Sequence, residues 1–361
     1  MTETVTPPLI LVRLFLGLRA LLLRMAARIV PPHMTMFEHV IGVGKTMMLR
    51  SAVELKIAEQ LAFGPKSPAD LAEASGADAD AVARLLRALA CLGVFERRED
   101  GRYTNNRLAE TLLPGAPMRD FLLYVASQAN VAAYADLHRT VETGANAFER
   151  VHGTDLWSWF AGHPDEGRLF ASAMVNLTSV DAPFIVASYP FGQIGTLCDI
   201  AGGCGPLLAE VLARNASVRG VLFDDARVLE QARAFLAERG VEERVERVAG
   251  SFFDRVPEGA DAYLLKDILH NWDDARALTI LGNCRRAMKP GQKLLVVEAL
   301  VEPETLVAPG PLIDIHVMTV CSGGRQRSER EMGELLTRGG FRVERVIRLP
   351  SPTCVVEASA A

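Results

Sequence analysis

The sequence predicts an α/β protein in which a doubly wound, mostly parallel sheet follows a helical region with a winged-helix outline. Three observations carry this. After Gly192, apolar and β-branched runs at 196–202, 218–225, 245–252, 261–269 and 293–300 alternate with helical patterns at 206–215, 226–239 and 274–288. Alternation of that kind specifies parallel strands joined by crossover helices. Before this region, residues 34–113 read as short helices followed by a hairpin, and 361 residues suit two domains better than one core.

Residues 1–33 form an amphipathic helical extension. Its apolar run is interrupted by Arg13, Arg19, Arg24 and Arg28, a spacing that a bilayer-spanning helix tolerates badly. Arg13, Arg24 and Arg28 fall on one side, leaving a broad apolar face. That face suits packing on another subunit, ahead of lying on a membrane surface. An export signal would need a small-residue cleavage site, and none is convincing.

In 34–113, Ser67 can cap a helix with Pro68 at its first position, and Gly76 breaks it. A second helix over about 80–92 ends at Gly93, and "EDG" at 99–101 turns a hairpin. DNA binding is the obvious function of such an outline. The recognition position, however, carries Ala83, Leu85, Leu86, Ala88 and Leu89, with only Arg84 and Arg87 basic and Asp70, Glu73, Asp78 and Asp80 around them. With a net charge of −5 as well, phosphate contact is disfavoured, and a structural or dimerising role is expected.

Residues 114–190 read as mainly helical and rich in aromatic residues and Met. Trp157, Phe160, Phe170 and Met174 are either core or the lining of a pocket for a flat apolar substrate. The fourth segment, 191–361, holds the sheet, and its tail supplies two more strands as a terminal hairpin. Six scattered cysteines, with no CxxC pair and no clustering with the seven histidines, indicate a reduced cytoplasmic protein with no metal site.

Ligands of a doubly wound sheet bind outside the carboxyl ends of its strands. Those ends carry Asp199 with "AGGCG", Asp224 and Asp225, Ser251, His270 and Glu298. In the loop, Gly202, Gly203 and Gly205 permit close backbone approach. The third glycine of a dinucleotide fingerprint would fall at Leu208, so a nucleoside lacking a pyrophosphate is expected. Asp224, 19 residues beyond Gly205, stands where a carboxylate can accept both ribose hydroxyls.

Taken together, "DIAGGCG", "FDD", "LLKDILHNWDD", "LLVVEAL" and "SGGRQRSEREMGELLTRGGF" resemble the motifs of the S-adenosylmethionine-dependent O-methyltransferases of the plant caffeate and bacterial polyketide-tailoring type. The resemblance runs from about Met34 to the C-terminus. It implies a Rossmann-like methyltransferase sheet behind a winged-helix-like dimerisation domain, a homodimer, and S-adenosyl-L-methionine as cofactor. It also implies that His270 deprotonates a hydroxyl as the methyl is transferred, with Glu298 fixing its tautomer, a role that suits an imidazole titrating near neutrality. Lys266 and Asp224 would contact the cofactor, with Phe252 near the adenine, alongside Asp199, Gly202, Gly203, Gly205 and Ser251. The acceptor would be shaped by Trp157, Phe160, Phe170, Met174, Asn271, His316, Met318 and Gln326.

The sequence departs from the family pattern at four places. Ala201 replaces a common glycine, Ser251 the adenine-contacting acid, Asn271 the acid after the histidine, and Gln326 a glutamate. Glu298 is then the only family-matched carboxylate left to orient the imidazole, and it is expected to matter more than Gln326. Relatives have turned this fold to hydroxylation, decarboxylation or pericyclic chemistry, so a cofactor-binding protein of diverged chemistry is the second reading. A winged-helix regulator with a nucleoside-sensing domain is a third.

Overall fold

The computed structural model describes residues 9–304, 309–351 and 353–361, without the side chains of residues 9, 10, 12 and 13. The expected place of Arg13 on a basic side thus lies outside the described residues. The chain forms two compact units. One comprises Leu21–Val131 with Asp165–Leu177, the other Met1–Ala20, Ala132–Pro164 and Thr178–Ala361.

In the first unit, Pro68–Ser75 begins at a capping box. The Ser67 side chain accepts from the backbone of Asp70, and Asp70 accepts from that of Ser67. Gly76 ends the helix in the left-handed conformation. Asp78 caps the next helix, Ala79–Cys91. Strands β1 (Phe95–Arg97) and β2 (Tyr103–Asn105) then pair antiparallel, with Phe95 opposite Asn105. Helix Ala79–Cys91 directs Val82, Leu86 and Leu89 into a core with Ile57, Leu71, Phe95 and Tyr103. Arg84 is left outside in an i, i+4 pair with Asp80. This is the physical reason the helix suits packing rather than groove reading.

Helix Leu9–Ile29 leaves Leu14, Phe15, Leu22, Leu23 and Ile29 exposed, and the following helix Pro32–Val40 does the same with Met36, Phe37 and Val40. Among the described residues one helix, Pro164–Ser188, is long and apolar enough to cross a bilayer by length and composition.

The second unit is built on a seven-stranded sheet. Its strands are β3 (Thr196–Ile200), β4 (Arg219–Asp224), β5 (Val245–Ala249), β6 (Ala262–Lys266), β7 (Lys293–Ala299), β8 (Phe341–Arg348) and β9 (Thr353–Ala360). They lie in the order β5-β4-β3-β6-β7-β9-β8. The first five are parallel, and β9 and β8 run antiparallel as the expected tail hairpin. The chain builds outward from β3 to β5 and returns to β6 beside β3, so the topological switch lies between β3 and β6. Central strands are buried on both faces, as Leu264, Leu265, Leu295 and Val296 require. Asp225, Asp273 and Ser328 cap the helices Ala226–Glu238, Asp274–Ala287 and Glu329–Arg338.

Each parallel strand is shorter than its apolar run, β6 by the most. β6 stops at Lys266 rather than 269, because Asp267 turns to φ +54° after its N–H reaches the carbonyl of Val297. A single 3-10 turn, Leu269–Asn271, then carries His270.

Candidate active site at the carboxyl rim of the sheet

The glycine loop leaves β3 through three left-handed residues, Ala201 (φ +55°), Gly203 (+63°) and Gly205 (+78°). Gly202 is required by space: a Cβ there would stand 2.5 Å from the Asp199 carboxyl and 2.6 Å from Leu222. At Gly203 the corresponding position is open, with no atom within 4 Å. Asp224 ties the loop down. Its Oδ2 accepts the Gly203 N–H at 2.8 Å and its Oδ1 accepts the Asp225 N–H at 2.7 Å. A carboxylate has about four acceptor positions, so capacity for further donors remains.

Beneath the loop lies an acidic well. Asp199 is 2% exposed, and burial, followed by repulsion from Asp224, pushes its carboxyl up to about 7 against the pull of Lys266. Burial, opposed by two backbone donors, also raises Asp224. Lys266 pairs with Asp267. Burial disfavours its charge, but Asp267, Asp181 and Asp199 outweigh burial and hold the ammonium above its ordinary value. Asp181 joins from helix Pro164–Ser188, accepts from Thr353 Oγ1 at 3.0 Å, and is raised by burial. Three carboxyl groups around one ammonium, with Asp224 beside Asp199, make a site that favours an added cation. Neither Asp181 nor Asp267 was legible in the sequence: Asp181 lies far upstream in a helix, and Asp267 falls inside an apolar run that reads as strand.

Ser251 is exposed, and its Oγ accepts the Phe253 N–H at 3.1 Å, so it closes a local turn. Phe252 packs with Phe253 (4.8 Å between rings) and with Trp272 (6.2 Å). Trp157 lies 6.0 Å from Trp272 and 6.2 Å from Phe160, so this half of the expected acceptor set stands with Phe252. Phe170 and Met174 belong to the other unit, where Phe170 meets Tyr124 edge-on at 5.2 Å.

His270 is clamped at three points. Its N–H donates to Glu298 Oε1 at 3.1 Å, its carbonyl accepts the Arg325 N–H at 2.8 Å, and its Nδ1 lies 2.8 Å from Gln326 Nε2. This corrects the expectation drawn from sequence. Glu298 grips the backbone of His270 and the ring is held by Gln326, because the "RQR" segment is stapled directly against the 3-10 turn. Arg327 completes the staple: 1% exposed, it donates to the carbonyls of Leu269 and Trp272 (2.9 Å each) and to Asp274. Sequence reasoning missed it, although an arginine in a segment whose neighbours are all functional was the available signal. Glu298 is fully buried, and burial raises its carboxyl although the charge of His270 opposes this.

Asn271 also serves the turn rather than an open pocket. Its Nδ2 donates to the Asp267 carbonyl at 3.0 Å, and its Oδ1 accepts from the Cys321 thiol at 3.4 Å. His316, on helix Gly310–Val320, has Nδ1 2.9 Å from the Tyr134 hydroxyl. Burial, then the charge of His270, pushes its imidazole down to about 4, so it is neutral at physiological pH. Met318 is half-buried on the same helix.

Comparison with known proteins fits this geometry. Residues 134–342 match the O-methyltransferase domain, and residues 37–115 match the O-methyltransferase dimerisation domain. The chain is 37% identical to phenazine O-methyltransferase of Lysobacter antibioticus over 91% of its own length and 96% of that protein. It is likewise 37% identical to mitomycin biosynthesis 6-O-methyltransferase of Streptomyces lavendulae, over 89% and 92% of the two chains. A solved O-methyltransferase from neocarzinostatin biosynthesis, in complex with S-adenosylmethionine and 2-hydroxy-5-methyl naphthoic acid, superposes with a TM-score of 0.76 at 30% identity, covering 88% and 96% of the chains.

Proposed function

This chain belongs to the S-adenosylmethionine-dependent O-methyltransferases, and from that premise we propose that it methylates a hydroxyl of an aromatic or polyketide-like small molecule with His270 as general base. The observation that carries the reading is the placement of His270, held at three points, on the same rim as the glycine loop and Asp224.

The residues present fit the cofactor. The open position at Gly203 admits a ligand against the backbone, and the well of Asp181, Asp199, Asp224 and Asp267 suits its positive charge. When bound, S-adenosyl-L-methionine supplies an electrophilic methyl group on a sulfonium. Asp224 would accept from the ribose hydroxyls, Gly202, Gly203 and Gly205 would line its path, and Lys266 would meet its acidic end. Phe252, with Trp272, offers apolar ring faces for the adenine where the family's acid is replaced by Ser251.

His270 takes the hydroxyl proton as oxygen becomes nucleophilic. For an acceptor with a phenol-like pKa near 10, few molecules are ionised at pH 7, and such help is worth about 10²–10⁴-fold. The remaining acceleration comes from holding the reacting atoms in line. Trp157, Phe160, His316 and Met318 are the candidates on this unit for shaping the acceptor. The exposed apolar side chains of Leu9–Ile29 and Pro32–Val40, together with the dimerisation domain, support a homodimer. Incubation with the methyl donor and a panel of phenols, naphthols and phenazine-like hydroxyl compounds, read by mass for the gain of one methylene, tests the activity. Binding of the cofactor without methylation of any oxygen acceptor would favour the diverged-chemistry reading.

A further inference from the structure

We propose that Gln326 is a positioning residue for His270, which holds Nδ1 through an uncharged side chain and so leaves Nε2 as the proton-accepting atom. The inference rests on the general-base reading above. Gln326 is 6% exposed, and its own N–H is fixed to Asp314 Oδ1 at 2.7 Å. Arg325 and Arg327 on either side of it are anchored to the turn that carries His270. The amide therefore cannot drift from the ring.

The amide can turn, and its two orientations have different chemical consequences. With Nε2 of Gln326 donating to a bare Nδ1, the neutral imidazole carries its proton on its own Nε2 and has no lone pair for the acceptor's proton. In that orientation Oε1 of Gln326 is buried without a partner. Rotating the amide by a half-turn lets Oε1 accept Nδ1–H and frees the imidazole Nε2, the unpartnered end of the amide then being its NH2 in place of its oxygen. The amide's oxygen and nitrogen ends are nearly alike in shape, so both orientations fit. A carboxylate here would hold the same tautomer but would also stabilise the imidazolium.

Three titratable groups already face His270: Glu298 from β7, Asp267 from the end of β6, and His316 from helix Gly310–Val320, with buried Arg327 beyond Glu298. An uncharged residue at 326 keeps a further anion off the ring. Base function should then extend to lower pH than it would with a glutamate.

Two variants test this. Gln326→Glu is isosteric, and its carboxylate should move the acid limb of kcat/KM to higher pH by about one unit or more, because imidazolium beside an anion gives up its proton less readily. Gln326→Ala should lower kcat by roughly 10–100-fold with little change in KM, as loss of a histidine's orienting partner does. Independently of turnover, nitrogen-15 spectra of ring-labelled histidine, assigned through His270→Asn, should place the neutral proton on Nδ1 in the parent and redistribute it in Gln326→Ala. An unmoved limb in Gln326→Glu, or a tautomer indifferent to Gln326→Ala, overturns the proposal. If His270→Ala keeps full turnover, the general-base reading fails instead, and the spectra still decide whether Gln326 sets the tautomer.

Discussion

Replacing Asp199 with asparagine should stabilise the protein without cofactor while weakening cofactor binding. The carboxyl is displaced from its ordinary 3.8 to about 7 because burial and Asp224 disfavour its charge. In the unfolded chain the group ionises near 3.8, whereas in the folded protein it keeps its proton up to about pH 7. Its contribution is therefore most favourable below about pH 4 and is lost as pH rises through 7. At about 1.4 kcal/mol for each pH unit, the penalty at pH 8 is about 4 kcal/mol and at pH 5 about 2 kcal/mol. The asparagine side chain fills the same space without charge and escapes it. Scanning calorimetry should find the variant melting roughly 5–10 °C above the parent at pH 8, with the gap narrowing towards pH 5. Titration with S-adenosylmethionine should find affinity reduced by about 1.5–3 kcal/mol, the worth of a hydrogen bond to a charged group. A variant that melts below the parent at pH 8, or a gap that does not change with pH, would refute the electrostatic account, and unchanged affinity would remove Asp199 from the cofactor site.

Three further outcomes follow from the same geometry. His270→Ala should reduce turnover by about 10²–10⁴-fold and leave cofactor affinity, measured by calorimetry, nearly intact. Glu298→Gln keeps an acceptor for the His270 N–H and should retain most activity, whereas Glu298→Leu orphans that buried donor and should lower stability by about 1–3 kcal/mol in chemical denaturation. Ala201→Gly should raise stability by about 0.5–1 kcal/mol, because relief of a left-handed alanine, about 1–2 kcal/mol, exceeds the added entropy of the unfolded glycine. A loss of stability there would mean that the alanine methyl packs favourably enough to offset its backbone conformation.

What the sequence determined was whatever depends on short-range pattern. Alternating apolar runs and helices specify the parallel sheet, since a strand buried on both faces must be apolar throughout. Ser67 with Pro68 marks a helix start and Gly76 its end, because caps are set within a few residues of the chain. The carboxyl rim followed from topology alone, and with it Asp199, the glycine loop, Asp224 and His270.

Tertiary structure decided which partner each of these groups meets. Gln326 lies 56 residues beyond His270 and Glu298 lies 28 beyond it, so nothing local could say which holds the ring and which the backbone. The stapled segment around Arg327 settled that. Asp181, brought beside Lys266 from an upstream helix, and Trp157, carried to Trp272, are likewise invisible to periodicity. Hydrogen bonds and burial between distant segments are properties of the folded arrangement, and the charge state of Asp199 follows from them rather than from its own residue type.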